Sequence, residues 1–296
     1  MGKLIVNQEK IKDIEEMIKI CPFGAIEYID GKIQMNAACK MCKLCVKKGP
    51  KGAIEYIEDQ IKEIDKDEWK GIAVYVDHVK GKIHPVTYYL NRKEIELAEK
   101  INQQVYAVFI GNNILSEAEE LLHYGVDKVF VYDDEELKDF RIESYTSAFE
   151  EFINNNKPTA ILVGATTIGR SLAPRVAARF KTGLTADCTV LEMKENTDLV
   201  QIRPAFGGNI MAQIVTPNSR PQLATVRYKV MEAPERSETA KGEIVTCNVD
   251  KEKLKSGISV IEIKEKIIER GISDAEVIVA AGRGVKSEKD LKIVKE

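Results

Sequence analysis

Cys39-Lys40-Met41-Cys42-Lys43-Leu44-Cys45 sets three cysteines at intervals of three residues, with Pro50 a short step beyond. A fourth cysteine stands upstream, as Cys21-Pro22. Thiolates separated by two residues on a tight loop can reach three corners of one cubane cluster, and a remote thiolate closes the fourth. Outward from this run the chain repeats itself. Gly24-Ala-Ile-Glu-Tyr-Ile29 and Gly52-Ala-Ile-Glu-Tyr-Ile57 are identical at a spacing of 28 residues.

In the bacterial ferredoxin pattern such a run continues with three residues and a further Cys-Pro, and that last cysteine ligates the other cluster of a pair. Gly49 stands in its place here, before Pro50. Counting back from Cys21 by the same spacing gives Met17, Ile14 and Ile11. One ligand set, Cys21, Cys39, Cys42 and Cys45, is therefore complete. The other, at positions 11, 14, 17 and 49, has lost every cysteine. Chance loss does not sort itself by cluster. The segment resembles a pseudo-two-fold ferredoxin that keeps one [4Fe–4S] site and fills the other with Ile11, Ile14 and Met17. A four-cysteine zinc site is the alternative, although zinc sites usually pair two Cys-x-x-Cys knuckles. Lys40, Lys43, Lys47 and Lys48 surround the run. They form either a solvated face or an electrostatic guide for an acidic redox partner.

The length of 296 residues allows about two domains. A net charge of −3 and a pI near 5.9 argue against nucleic acid as the main partner. No apolar run approaches the ~20 residues that a membrane span needs. The first residues, Met1-Gly2-Lys3-Leu4-Ile5-Val6, lack the apolar core of a signal peptide. A cytoplasmic location is expected. Six cysteines in that compartment read as metal ligands and buried thiols rather than disulfides.

Residues 62–69 are charged and read as a linker, with Trp69 packing at a domain junction. A second domain opens near Gly71. Strands are expected at 72–76, 105–110, 128–132 and 160–163, where β-branched and aromatic residues cluster. Helices are expected between them: one from Asn91 as N-cap through Ile95, Ala98 and Ile101, one from a capping box at Ser116 and Glu119 to Gly125, and one containing 149–155. Alternating strands and helices predict a doubly wound, largely parallel α/β domain. Gly164-Ala-Thr-Thr-Ile-Gly-Arg170 links a strand to a helix. Such a turn can cradle phosphate, or Thr166, Thr167 and Arg170 belong to a capped helix start. From 184 to 230 short β-like runs separate motif-rich loops, and 232–256 read as a polar connection. Glu276-Val-Ile-Val-Ala-Ala281 reads as a buried strand that leads through Gly282-Arg-Gly284 to a helix near Ser287. Residues 275–296 look like the opening βα unit of a nucleotide-binding domain whose remainder would lie past Glu296.

Four words carry a resemblance over residues 71–296: Gly164-Ala-Thr-Thr-Ile-Gly-Arg170, Leu184-Thr-Ala-Asp-Cys188, Arg203-Pro-Ala-Phe-Gly-Gly-Asn209 and Arg220-Pro-Gln-Leu-Ala-Thr-Val-Arg227. With Gly282-Arg-Gly-Val285 they resemble the alpha subunit of electron-transfer flavoprotein. The form with Arg203-Pro-Ala-Phe-Gly-Gly is similar to the anaerobic, flavin-bifurcating branch. The fused ferredoxin-like segment resembles alpha subunits that serve caffeyl-CoA reductase or lactate dehydrogenase complexes. The resemblance implies a ferredoxin-like α+β domain at 1–66, the family's α/β domain I at 67–262, and the start of its FAD domain II at 263–296. It implies a beta subunit whose flavin lies near the interface, faced by Arg203 and Arg227; a surface ion pair is the plain alternative for both. It places Arg283 and Gly284 beside a second FAD, where a cation favours reduced, anionic flavin. With most of domain II missing, tight FAD binding by this chain alone is not expected. The implied partners are the beta subunit, ferredoxin, and an acyl-CoA dehydrogenase-like or lactate dehydrogenase-like flavoenzyme, with NADH as the reductant. A nucleotide-binding regulator that senses redox state through its cluster is a rival reading, and a purely structural cluster is a third. Cys188 and Cys247 read as structural thiols, and His78, His84 and His123 show no ligand spacing.

Overall fold

A computed structural model describes residues 3–57, 64–264, 272, 275–287 and 289–292. The first stretch holds β1 (Lys3–Val6), α1 (Ile14–Lys19), β2 (Ile26–Ile29), β3 (Lys32–Met35), α2 (Leu44–Lys48) and β4 (Ile54–Ile57). The repeated words take equivalent places: each Ile-Glu-Tyr-Ile is a strand, and each leading glycine, Gly24 or Gly52, sits at positive φ (61° and 78°). That left-handed conformation suits glycine and turns the chain from helix into strand. β1 and β4 pair antiparallel, as do β2 and β3. Asp30 and Gly31, at φ 51° and 77°, make the two-residue turn of the β2–β3 hairpin. Met17, Ile26, Ile33, Cys45 and Ile54 form the core of this unit, with Ile11 and Ile14 packed against it.

The remainder contains β5 (Ile72–Tyr75), the short pair β6 (His78–Val79) and β7 (Lys82–Ile83), α3 (Pro85–Ile101), β8 (Val105–Gly111), α4 (Leu115–Leu121), β9 (Lys128–Asp133), α5 (Ile142–Asn156), β10 (Ala160–Gly164), α6 (Thr167–Phe180), β11 (Leu184–Cys188), β12 (Val190–Met193), β13 (Leu199–Ala205), β14 (Ile210–Ile214), β15 (Gln222–Val226), β16 (Glu243–Cys247) and α7 (Lys251–Leu254). Seven strands form one sheet in the order β11-β15-β10-β5-β8-β9-β16. Every pairing in it is parallel. Parallel strands covered on both faces read as unbroken apolar runs, and β5, β10 and most of β8 are buried throughout. Side chains alternate across the sheet. Ile72, Val74 and Val76 join Leu90 and Leu97 of α3 and Ala118 and Leu121 of α4, whereas Ala73 and Tyr75 join Phe149, Phe152 and Val176 of α5 and α6. The result is the doubly wound, three-layer α/β architecture expected from the alternating pattern. β12, β13 and β14 form a separate antiparallel sheet over the α3 side. Among the described residues no helix is long and apolar enough to cross a membrane.

Several local expectations are corrected. α3 starts at Pro85, not after Asn91; His84 Nδ1 accepts the Val86 N–H (3.1 Å), and Pro at the first helical position loses no bond. Asn91 is buried in mid-helix. α4 has no capping box, because the Asp133 carboxylate accepts the Asn113 and Ile114 N–H groups instead (2.7 and 2.9 Å). The 232–256 connection contains a real strand, β16, which extends the sheet beside β9. Residues 276–281 form no strand: Val277 and Val279 are exposed, and no described strand lies alongside to complete a ladder. The helix expected near Ser287 falls largely outside the described residues, as do positions 62–63 of the linker. The rest of that linker is stapled rather than free. Lys66 pairs with Asp198 (2.7 Å), Lys157 with Glu68 (2.6 Å), and Thr159 Oγ1 donates to the Trp69 carbonyl (2.8 Å). Burial pushes the Asp198 carboxyl up, but hydrogen bonds from Lys66 and from buried Arg220 outweigh it and hold the group below the usual carboxylate range.

Candidate cofactor sites

Cys21 follows α1, Cys39 and Cys42 lie in the loop before α2, and Cys45 sits in the first turn of α2. Met41 and Lys43 flank Cys42 at positive φ (52° and 60°), so the loop coils tightly about that thiol. All four cysteines line one narrow recess, together with Leu4, Phe23, Ile26, Met35 and Leu44. The wall is apolar, and Cys45 is buried while Cys42 is exposed. The Ala25 N–H points at Cys21 Sγ (3.3 Å). Burial pushes the Cys45 thiol up, against N–H groups of Cys45 and Val46 that favour its thiolate. Among the described residues no three His, Cys, Asp or Glu side chains converge on a point that could hold a single metal ion. A cubane makes a different demand, because each thiolate meets its own iron and the ligands ring a void. The donor set and the shared recess fit that demand.

The second ligand set is packed shut. Met17 is 1 % exposed, and a Cβ placed on Gly49 would lie 3.1 Å from Met17 Cε and 2.5 Å from the Cys45 carbonyl oxygen. The thioether thus occupies the space in front of the position where the missing cysteine would stand.

In the main sheet the strand order reverses between β5 and β10, and ligands of doubly wound sheets bind at the carboxyl ends of such strands. Asp77 follows β5 and Thr166 follows β10. The Thr166 hydroxyl donates to the Asp77 carboxylate and accepts the Gly169 N–H (3.0 Å), so it caps α6. Arg170 pairs with Asp187 (3.1 Å). The Gly164–Arg170 turn is thus a capped helix start whose Thr166 and Arg170 side chains are engaged by protein, while Thr167 is exposed.

Arg227 follows β15 at this carboxyl edge, and Arg203 lies in β13 of the separate three-stranded sheet. Arg227 donates its backbone N–H to the Cys188 carbonyl (3.1 Å), and the Arg203 guanidinium lies close enough to act on the Cys188 thiol. Burial is the larger influence and pushes that thiol up to about 12. Cys188 is therefore an inert structural thiol, and half-buried Cys247 lies against Tyr132. Beside Arg203, the tip Phe206-Gly207-Gly208 holds three left-handed residues, and Phe206 is 81 % exposed. Arg283 and Gly284 are elsewhere, on an exposed segment where a Cβ on Gly284 would meet nothing within 4 Å. No wall for a flavin stands there among the described residues.

The three histidines have structural duties. His78 Nε2 meets the Ile110 carbonyl (2.8 Å) while Nδ1 accepts the Gly81 N–H (3.1 Å); His84 caps α3; and His123 meets the Ser237 carbonyl (2.8 Å). The Asp77–Thr166 contact was not anticipated from sequence. Its two members are 89 residues apart, and only the topology unites them.

An electron transfer flavoprotein domain model matches residues 72–252. The lactate dehydrogenase (NAD(+),ferredoxin) subunit LctC of Acetobacterium woodii is 58 % identical over 296 residues, covering 99 % of this chain and 70 % of the relative. The electron transfer flavoprotein subunit alpha of Megasphaera elsdenii is 41 % identical over 244 residues, covering 79 % of this chain and 70 % of that one. The acryloyl-CoA reductase electron transfer subunit beta of Anaerotignum propionicum is 35 % identical over 249 residues, covering 75 % and 67 %.

Proposed function

The chain belongs to the electron transfer flavoprotein family and is of its alpha-subunit type; on that premise we propose that it relays single electrons through one [4Fe–4S] cluster inside a flavin-based bifurcating complex. The observation that carries this reading is the ring of Cys21, Cys39, Cys42 and Cys45 about one recess, beside a second ligand set closed by Met17. Bound there, the cluster supplies one-electron chemistry at a potential tuned by hydrogen bonding and solvent exposure. The four thiolates hold it. The N–H groups of Ala25, Cys45 and Val46 stabilise negative charge on sulfur, and Leu4, Ile26 and Met35 limit water.

The N-terminal unit, residues 1–66, is read as ferredoxin-like, residues 67–262 as domain I, and 263–296 as the start of the FAD domain. The partners assigned are a flavin-bearing beta subunit reduced by NADH, ferredoxin, and a lactate dehydrogenase-like or acyl-CoA dehydrogenase-like flavoenzyme, all in the cytoplasm. The names of LctC and of the acryloyl-CoA reductase subunit support the assignment of these dehydrogenase classes. Arg203 and Arg227 are assigned to the face that meets the beta subunit's flavin; the exposed Phe206 three residues past Arg203 supports this. The second FAD belongs with Arg283 and Gly284 by motif, but the described residues do not enclose it.

The test is NADH-dependent ferredoxin reduction by the assembled complex carrying Cys42→Ser. Ferredoxin reduction should slow sharply while gel filtration shows the beta subunit still associated. Unchanged reduction in a complex shown to lack iron would end the relay reading, and loss of assembly would point to a docking role.

A further inference from the structure

The chain that leads from the N-terminal unit into the α/β domain is fastened before the sheet begins. Ile72, Val105, Ala160 and Gln222 stand side by side as the first residues of β5, β8, β10 and β15. Along that amino edge Thr159 Oγ1 donates to the Trp69 carbonyl (2.8 Å), the Lys70 N–H donates to the Lys157 carbonyl (2.9 Å), and the Gly71 N–H donates to Gln103 Oε1 (2.9 Å). The outermost fastening is Lys66, whose ammonium donates to Asp198 Oδ1 (2.7 Å). Asp198 immediately precedes β13, and the next residue, Leu199, donates its N–H to Gln222 Oε1 (2.9 Å), which ties it to the same edge.

Asp198 does not need Lys66 to be satisfied. Its carboxylate already accepts from Arg220 Nη2 on Oδ1 (2.9 Å) and from Asn196 Nδ2 on Oδ2 (2.9 Å), and the Arg220 side chain has no exposure. One buried anion and one buried cation make a neutral pair, which is the condition for holding charge inside a protein. Lys66 adds a second cation from outside, with 30 % of its side chain exposed. The demands of the α/β domain thus account for Asp198 and Arg220 but leave Lys66 over. What Lys66 finds is a carboxylate already fixed in place and shielded from water. That is a firmer hold than a surface pair such as Lys157–Glu68, in which both side chains are largely exposed.

We propose that Lys66 is a positioning residue: its ion pair with Asp198 anchors the N-terminal cysteine unit to the amino edge of the sheet and sets the radius within which that unit can stand. Nine residue steps separate Ile57, the end of β4, from Lys66. A chain of that length reaches about 30 Å. Without the Lys66 pair, the next fastening that does not depend on an exposed ion pair is at Trp69, three residues further on. The reach then grows to about 40 Å. The accessible volume grows about 2.4-fold, and the effective concentration of the unit at any fixed partner falls in proportion. The anchor also lies at the opposite ends of the strands from Asp77, Thr166 and Arg227, which follow β5, β10 and β15. The unit is therefore tied away from the carboxyl edge, and Arg227 is left open to the beta subunit. The function of the anchor rests on the relay reading, because a cluster that passes electrons has to be kept within reach of a flavin.

Lys66→Met removes the charge and keeps the apolar stem, and Lys66→Arg restores a donor to the carboxylate. Lys70→Met, at an exposed neighbour, makes the same change of charge and is the control. Hydrogen exchange of the full chain reads the anchor at the amides of residues 67–70, and the sole tryptophan, Trp69, reads it by acrylamide quenching. Both should rise in Lys66→Met, return in Lys66→Arg and stay at the wild-type level in Lys70→Met. In the assembled complex, NADH-dependent reduction of the cluster, followed by its visible absorbance, should slow about twofold or more in Lys66→Met. Iron content and the Tm of the α/β domain should stay unchanged, and Lys66→Arg should recover the rate; a merely stabilising role would move Tm instead. Wild-type exchange at residues 67–70 in Lys66→Met would overturn the anchor. Faster exchange with a wild-type reduction rate would overturn the positioning role and leave the relay intact. Should the wild-type chain hold no iron, the relay reading fails, and the exchange arm decides the anchor alone: faster exchange reversed by Lys66→Arg sustains it, and exchange indifferent to Lys66 overturns it.

Discussion

Replacing Met17 by Ala examines the idea that a thioether has taken the place of a second cluster. Met17 is 1 % exposed and packs with Ile26, Ile33, Cys45 and Ile54, its thioether facing Gly49. Truncating a buried methionine costs about 2–5 kcal/mol, the upper part applying where the backbone cannot close on the void. Gly49 has no side chain to fill it, and the neighbouring Cys45 is fixed by its place on the recess, so the cost should lie at about 3 kcal/mol or more. A folded unit of some 55 residues has only about 3–8 kcal/mol in total at typical per-residue values. If the proposed cluster is bound, Met17→Ala should leave this unit dependent on it, since ligand binding is then the main remaining source of stability. The assay is urea titration of the full chain under argon, following visible cluster absorbance and hydrogen exchange in α1 and α2. With a urea slope of about 1 kcal/mol per molar for so small a unit, the midpoint should fall by about 3 M or more. A midpoint moved by less than about 0.5 M would mean that Met17 is not a plug, and the account of the lost site would be wrong.

Other consequences follow from the main domain. Arg220 has no side-chain exposure and donates to Asp198 Oδ1 (2.9 Å) and to the Thr197 carbonyl and hydroxyl (both 3.1 Å). Arg220→Met should cost about 3 kcal/mol, near the low end for a broken buried pair because Lys66 still faces Asp198, and calorimetry should show a fall of about 6–12 °C in Tm; a shift of a degree or less would mean Lys66 suffices. Gly169→Ala would put a Cβ 2.0 Å from the Gly164 carbonyl oxygen, so a loss of about 2–3 kcal/mol in urea titration is expected, and a neutral result would refute the tight β10–α6 approach. Burial pushes the Glu94 carboxyl well above its ordinary 4.5, so the folded chain keeps a proton that the unfolded chain releases. That contribution is full below about pH 4.5 and is lost as pH rises. Glu94→Gln should therefore flatten the decline of Tm between about pH 5 and 8, and parallel Tm curves for the two proteins would contradict the buried-acid assignment.

What could be read in advance was short-range or repetitive. Cysteine spacing is a local property, and the two Ile-Glu-Tyr-Ile strands announced themselves by repetition. Strands β5, β8, β9 and β10 are apolar runs because both their faces are covered, so their burial is written residue by residue. The errors share a cause. The cap of α4 comes from Asp133, some twenty residues ahead in the chain, and β16 becomes a strand only because β9 offers it an edge. His84 is an uncommon cap, although Pro85 was a signal that could have moved the start of α3. Residues 276–281 show the converse, an apolar run that has no ladder among the described residues. Arg203 and Arg227 were chosen by resemblance, and they stand on two different sheets, β13 in the three-stranded one and the end of β15 in the main one.

Iron and acid-labile sulfide per chain, measured on anaerobically purified protein and on Cys21→Ser beside it, decide whether the four thiolates hold one cluster. About four of each per wild-type chain are expected, with a collapse of both in Cys21→Ser, although Cys21 lies 18 residues before Cys39. About eight irons, one zinc without visible absorbance, or an intact cluster in Cys21→Ser would contradict it.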